Sequence, residues 1–504
     1  MIKQFKDYQK PEIFSKIKEY ATVSEMWDMC VKSYSDRTAV ICAGKSYSFS
    51  ALESDAATLR AAYLEAGLKK GDRICLYAVN SYEFIKAYIA AVTLGIAVAV
   101  LPAQLDEMAV FGCSMKFSAK AIVYHPALEE NLNIAKAKGV LCISADISSD
   151  NKVPAASDID EKDPCVIMFT GGTTGQSKGA LLSHGAVMQG TVNGCYGYDA
   201  VFEQRYLLVL PLSHVFGLIR NLMTSLYTGS TLFICLNNKD MFSDIAAFRP
   251  TILVLVPALA EMALNLSRRF GKNMLGDDLK YIICGAAAVA PYLVSEYSKL
   301  GIGLCPGYGL TESANLVSGN PDFLRKPDSV GLMYPHQEYK IVDGELWLKG
   351  KNMMDGYIGD PEENAAAYED GWFKTGDLVR IDDEGFLYIT GRTKEIIVLD
   401  NGENVSPAEV EAFFNAIPEV QDSQIFEDAD ENGKHFIALE VVPRVVVLEK
   451  ADAEDKGQYL MSKLKAVNDS LPAYQRASRI VIRETDFPRT PSMKIARYKF
   501  GSKH

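Results

Sequence analysis

Apolar and polar positions alternate with two periods along the first third of the chain. Leu52, Ala56, Leu59 and Tyr63 fall on one helical face that runs to Gly67, and Ser50 with Glu53 forms a capping box at its start. The run RICLYAV (73–79) predicts a buried strand, Asn80 with Glu83 predicts the cap of a second helix, and IAVAVL (96–101) predicts another strand. Strand, helix and strand at this spacing mean parallel sheet. TILVLVP followed by ALAEMALNLSRRF (251–270) repeats the theme, as does YIICG (281–285). From about residue 320 short strands with turns take over, among them GELWLKG and GFLYITG, which predict a small β-rich subdomain. Beyond Arg392 the texture shifts to mixed helices and strands, and Ser406-Pro407-Ala408-Glu409 predicts a helix start. These changes put a domain boundary close to Thr393-Lys394.

Length and composition narrow the class. A chain of 504 residues suggests two to four domains, and 48% hydrophobic with 23% charged residues suits large buried cores. A formal charge of -12 argues against nucleic acid as the main ligand, because such binders need a net basic face. The ten cysteines include no C-x-x-C pair, which fits buried thiols in a reducing compartment better than a disulfide frame or a zinc site. The opening MIKQFKDYQK lacks the apolar core of a signal peptide. The longest uncharged apolar stretch, Ala87 to Ala103, has 17 residues and is broken by Gly95, whereas a membrane span needs roughly 20. A soluble cytoplasmic protein is expected.

The stretch FTGGTTGQSKGALLSH (169–184) carries the first candidate chemistry, and it reads two ways. Thr170, Gly171, Gly172, Thr173, Thr174, Gly175 and Lys178 would make a phosphate cradle. Glycines let backbone N–H groups turn toward an anion, threonine hydroxyls add donors, and one lysine adds a point charge. It is not a standard P-loop, since Ser177 rather than glycine precedes Lys178. The strand-like VIMFT (166–170) would hold its entry. The same residues, Gly175-Gln176-Ser177-Lys178-Gly179, also fit the G-x-S-x-G elbow of a serine hydrolase, although GALLSH reads as a strand where an elbow needs a helix.

Four further stretches follow in order: YGLTES (308–313), FKTGDL (373–378), GRTKEII (391–397) and PRTPSMKIAR (488–497). Together with the loop they resemble the ANL superfamily of adenylate-forming enzymes, closest to acyl- and aryl-CoA synthetases, over about Ser48 to Arg497. The resemblance implies an α/β fold. Its large N-terminal domain (1–393) would hold two doubly wound α/β subdomains plus a small β-barrel-like subdomain, followed by a small mobile α+β C-terminal domain (394–504). It implies ATP, Mg²⁺ and coenzyme A as cofactors. An acid would be joined to ATP as acyl-AMP with release of pyrophosphate, then passed to coenzyme A.

The resemblance also implies roles for residues. The Thr170–Gly179 loop would hold the β- and γ-phosphates with Lys178 as counter-charge. Tyr308 would stack on adenine opposite Gly285, Ala286 and Ala287, while Thr311 would bond the α-phosphate and Glu312 would ligate Mg²⁺. Asp377 would accept both ribose hydroxyls, with Arg392 beside the ribose and Lys394 at the hinge. Lys494 would bridge the carboxylate and the α-phosphate in the first step. The chain departs from the family in three places: Ser177 where relatives have proline, Met493 where they have glycine, and Pro306 where they often have a polar residue.

LPLSHVFGL (210–218) is similar to the segment that places a histidine, here His214, beside the acyl site. Amino-acid-activating members carry an aspartate in this region, and none occurs between Leu207 and Met223, which disfavours a free α-amino acid. The small residues Gly285, Ala286, Gly309 and Ala314 would leave room for an apolar tail or ring. Gly402 would line a pantetheine channel. Two alternatives to a CoA ligase stay open: a stand-alone ligase that loads a separate acyl carrier protein, and a non-catalytic adenylate-binding sensor.

Overall fold

The computed structural model describes residues 2–170, 178–399, 403–429, 435–489 and 495. Two large sheets organise the chain up to about residue 390. In the first, Ala97–Leu101, Arg73–Tyr77, Ala121–Tyr124, Leu141–Ser144 and Pro164–Phe169 pair in parallel, and Gly179–Ser183 and Gly356–Tyr357 add an antiparallel edge. The second holds nine strands. Its parallel centre runs through Thr231–Ile234, Arg205–Leu208, Ile252–Leu255, Tyr281–Cys284 and Gly303–Leu310. Helices lie between successive strands, as parallel pairing requires. The expected small β-rich subdomain takes the form of a five-stranded antiparallel sheet built from residues 338–392.

The apolar runs read from the sequence become the core because both faces of these strands are covered. Ile74, Cys75, Leu76 and Tyr77 are fully buried, as are Ile252 to Leu255. One continuous core extends from Phe5 to Tyr388, and a separate one extends from Ile397 to Ala477. This second core joins a three-stranded sheet (Val420–Ala429, His435–Pro443, Arg479–Ile482) to the helices Pro407–Asn415 and Lys456–Ser470. All ten cysteines are free thiols. Among the described residues no helix is long and apolar enough to cross a membrane.

Three caps differ from expectation. The helix expected before Gly67 is Phe49–Glu65, and its cap is Ser48, whose Oγ accepts from the Ala51 N–H at 3.1 Å. Glu53 is drawn instead to the Trp27 indole N–H at 2.6 Å and to the buried Arg60. The helix Tyr82–Val92 is capped by Ser81, because Asn80 is used elsewhere: it donates to the Leu210 carbonyl and accepts from the Leu212 N–H, each at 2.9 Å. Ser406 makes no side-chain cap, since its hydroxyl donates to the Thr390 carbonyl at 2.6 Å. Pro407 still opens that helix, its fixed φ suiting the first position.

Candidate active site

Thr170, Gly285 and Thr311 directly follow the carboxyl ends of the strands Pro164–Phe169, Tyr281–Cys284 and Gly303–Leu310, the usual place for ligands in open α/β sheets. Phe169 pairs with Gly179, and the Thr170 N–H donates to the Lys178 carbonyl at 2.9 Å. Lys178 is therefore held at the mouth of a strand-to-strand hairpin. A nucleophile elbow leads from a strand into a helix. Here Gly179–Ser183 is a strand, antiparallel to the one before the loop, so the hydrolase alternative lacks its geometry. Gly171, Gly172, Thr173, Thr174, Gly175 and Ser177 lie outside the described residues, as do Gly402, Met493 and Lys494.

Two residues not foreseen from the sequence join Lys178 to Glu312. The Lys178 Nζ lies 2.6 Å from Glu363 Oε2 and 5.1 Å from the centre of the Tyr357 ring. The Tyr357 hydroxyl in turn donates to Glu312 Oε1 at 2.7 Å. Burial and the Glu312 carboxylate both push the Tyr357 phenol far above its ordinary value, so it acts as a donor. The Lys178 ammonium bonded to Glu363 holds that carboxyl below its usual range, with Lys394 adding to the effect against partial burial. Glu363 thus competes with phosphate for the loop lysine. Partly exposed ion pairs contribute about 0.2–1 kcal/mol. Glu363→Gln is therefore expected to lower the KM for ATP by up to about fivefold in pyrophosphate exchange. A higher KM would show that Glu363 assists the nucleotide.

A second cluster forms around Asp377, which is 2% exposed. Asp377 and Arg392 are direct partners across antiparallel strands, and Arg392 Nε lies 2.7 Å from Asp377 Oδ1. The Tyr308 hydroxyl donates to Asp377 Oδ2 at 2.5 Å. Burial first, and then the Asp377 charge, push the Tyr308 phenol well up. The preceding turn fixes the carboxylate: the Gly376 N–H donates to Glu345 Oε1 at 2.7 Å and the Asp377 N–H to Thr375 Oγ1 at 3.0 Å. A buried ionised acceptor flanked by a guanidinium and a phenol is the group a vicinal diol needs.

Between the two clusters, Gly303–Leu310 changes partner. It runs parallel to Tyr281–Cys284 as far as Pro306, then pairs antiparallel with Asn315–Gly319. The reversal is a single turn, Thr311–Ser313, in which Ser313 Oγ accepts from the Leu310 N–H at 2.9 Å. That turn sets Thr311 and Glu312 beyond the strand end. A Cβ on Gly309 would lie 2.1 Å from the Asn315 carbonyl oxygen, and one on Gly285 would lie 2.9 Å from that of Gly307. Ala314 is fully buried with φ +55°. Close backbone approach accounts for the small size of Gly285 and Gly309, and a tight turn inside the core holds Ala314. Ala286 follows Gly285 with φ +66°, and Ala287 is exposed.

His214 precedes a π-helical segment, Phe216–Met223, and its Nδ1 accepts from the Phe216 N–H at 3.2 Å. In the neutral ring the proton then sits on Nε2. The clamp from Asn80 onto Leu210 and Leu212 fixes the approach to this histidine. Lys394 is exposed in the short turn Thr393–Glu395, between the two hydrophobic cores.

Residues 27–358 match the AMP-binding enzyme family, and residues 394–504 match the C-terminal domain of AMP-binding enzymes. The chain belongs to the AMP-binding enzyme family. Among its relatives is an indoleacetate–CoA ligase of Aromatoleum aromaticum, 33% identical over 58% of this chain and 60% of that protein. A probable CoA ligase of Humulus lupulus is 27% identical over 94% of this chain and 95% of that one. The fold is that of an anthranilate CoA ligase solved with anthranoyl-AMP, with a TM-score of 0.84, 19% identity and coverage of 96% and 97% of the two chains. The α/β class, with a large first domain and a smaller second one, is that of the family.

Proposed function

We propose that this protein is an AMP-forming acid–thiol ligase, which activates a carboxylic acid as acyl-AMP and transfers the acyl group to coenzyme A. The observation that carries this is the pairing of Asp377 with both Arg392 and Tyr308 next to the Lys178–Tyr357–Glu312 chain. The first set suits a ribose and the second a magnesium polyphosphate. The CoA ligases among its relatives support the acceptor.

Each residue then has a task. Thr170 and the loop through Lys178 would cradle the β- and γ-phosphates. Tyr308 would face adenine across Gly285, Ala286 and Ala287, and Thr311 would bond the α-phosphate. Glu312 would hold Mg²⁺ together with phosphate oxygens. Among the described residues no cluster of three or more His, Cys, Asp or Glu side chains offers a metal site, which suits an ion held by one carboxylate and the nucleotide. Bound Mg²⁺ supplies positive charge to the phosphates. His214 would position the acid, and Lys494 would bridge the acid's carboxylate and the α-phosphate. Gly402 would line the thiol's path.

We place the functional boundary between residues 393 and 394, with 1–393 as the adenylating domain and 394–504 as the domain that turns about Lys394 between half-reactions. The separate hydrophobic cores on either side of that turn support this division. Free cysteines throughout and a net charge of -12 support a cytoplasmic protein whose partners are small molecules rather than nucleic acid.

Acid-dependent ATP–pyrophosphate exchange across a panel of carboxylates tests the proposal, with thioester formation on adding coenzyme A as the second readout. Exchange with at least one acid, followed by thioester, is expected. Exchange without thioester would favour loading of a separate acyl carrier protein. Nucleotide binding with no exchange would favour a non-catalytic adenylate sensor.

A further inference from the structure

Arg220 carries a charge deep in the core with no carboxylate beside it. It lies four residues after Phe216 in the π-helical segment and is 1% exposed. Its Nη2 donates to the Tyr198 hydroxyl at 2.7 Å, while Nε and Nη1 are enclosed without a hydrogen-bond partner. The groups that face it are the phenols of Tyr198, Tyr206 and Tyr334 and the thiols of Cys195 and Cys305. Burial pushes all five upward, so none supplies a negative charge. The Tyr206 hydroxyl faces the same guanidinium, whose carbon lies 5.9 Å from the centre of the Tyr198 ring. An uncompensated buried guanidinium is costly, and an apolar side chain of similar volume would remove that cost. Such a group has a reason to persist where something anionic reaches it.

The geometry also says from which side. Arg220 borders a small cavity of about 10 Å³ lined by Tyr198, Ile283, Pro306, Leu316 and Tyr334. That is room for about one water-sized group. Leu316 belongs to two neighbourhoods at once. A Cβ on Gly285 would meet Phe216 Cζ at 3.5 Å and Leu316 Cδ2 at 3.7 Å, and Leu316 also lines the cavity that Arg220 borders. Gly285 stands at the carboxyl end of its strand, beside the segment that begins with His214. In the ligase reading, an acid whose reacting carboxylate lies near His214 would extend its far end past Gly285 toward Leu316.

We propose that Arg220 is a specificity-determining residue that binds a second carboxylate at the distal end of the substrate, so that the preferred acids are dicarboxylic. The inference rests on the ligase reading. A guanidinium offers a planar fork that matches a carboxylate, and its two unpartnered nitrogens are the donors such a group would take. Phe216 and Leu316 would turn aside to admit it.

The test compares straight-chain diacids from succinic to suberic acid, each against the monoacid of the same carbon count, by kcat/KM in pyrophosphate exchange. At least one diacid is expected to exceed its matched monoacid by about tenfold or more, since a site built around a polar contact discriminates strongly against its loss. Arg220→Met should lower that diacid-to-monoacid ratio at least tenfold, and Arg220→Lys should restore part of it. A structural role alone would lower stability and leave the ratio where it was, which would overturn the proposal. If Arg220→Met fails to fold, the native enzyme's own ratios decide. A preference for the monoacid in every pair overturns the dicarboxylate inference and leaves the ligase reading intact. Exchange with no acid of either kind overturns the ligase reading, and the inference falls with it.

Discussion

Lys494→Ala is expected to slow acyl-AMP formation by about a thousandfold while thiolysis of pre-made acyl-AMP stays within a few-fold of native. The first step brings an acid's carboxylate against an anionic triphosphate. Two unit charges about 4 Å apart repel by roughly 4 kcal/mol at an effective dielectric near 20. A bridging ammonium offsets a term of that size, and each 1.36 kcal/mol of barrier is about tenfold in rate. In the second step the attacking thiol meets an acyl-AMP whose pyrophosphate has left, so this repulsion is gone. Exchange of labelled pyrophosphate measures one half-reaction, and thioester formation from synthetic acyl-AMP measures the other. Equal loss in both would place Lys494 outside the adenylation chemistry.

How much of this protein is legible in its sequence differs between strands, caps and site. The buried strands were plain, because runs such as Ile252–Leu255 are apolar on both faces and only a covered parallel sheet accommodates that. Two of the caps lie one or two residues from the expected position. Ser48 and Ser50 carry the same hydroxyl, and only the backbone's extended conformation at Ser48 decides which of them accepts from the helix. Asn80 and Ser406 are typical cap residues diverted to distant carbonyls, at Leu210 and Thr390. No local pattern announces such a diversion.

The site divides along the same line. Tyr308, Thr311, Glu312, Asp377 and Arg392 sit inside short motifs and were readable there. Tyr357 and Glu363 were not, because their relation to Lys178 arises from an edge strand. Gly356–Tyr357 pairs with Gly179–Ser183, which carries Tyr357 to a carboxylate 45 residues away in the chain. At Gly285 and Gly309 the sequence shows only a missing side chain; that a neighbouring carbonyl stands where a Cβ would go becomes visible only in the fold. A lone arginine in an apolar segment, such as Arg220, carries no signal until its burial is known.

Asp377→Asn is expected to raise the KM for ATP by about tenfold to a hundredfold, with a penalty specific to the ribose. The substitution keeps the shape of the side chain and one oxygen, so the Tyr308 hydroxyl or the Arg392 guanidinium retains an acceptor, but not both as now. Hydrogen bonds to a charged group contribute about 1.5–3 kcal/mol each, and a neutral amide offers one acceptor oxygen where a carboxylate offers two. Part of the loss would come from disturbing Arg392 and Tyr308, and raw KM values mix that with the lost ribose contacts. A cycle with 2′-deoxy-ATP separates them. In the native enzyme, removing the 2′-hydroxyl should cost about tenfold or more in kcat/KM, and in Asp377→Asn it should cost markedly less, because the contact is already weakened. An equal deoxy penalty in both would mean that the ribose is held elsewhere. Asp377 would then serve only to fix Tyr308 and Arg392, and the cluster would be a support for the nucleotide site rather than its floor.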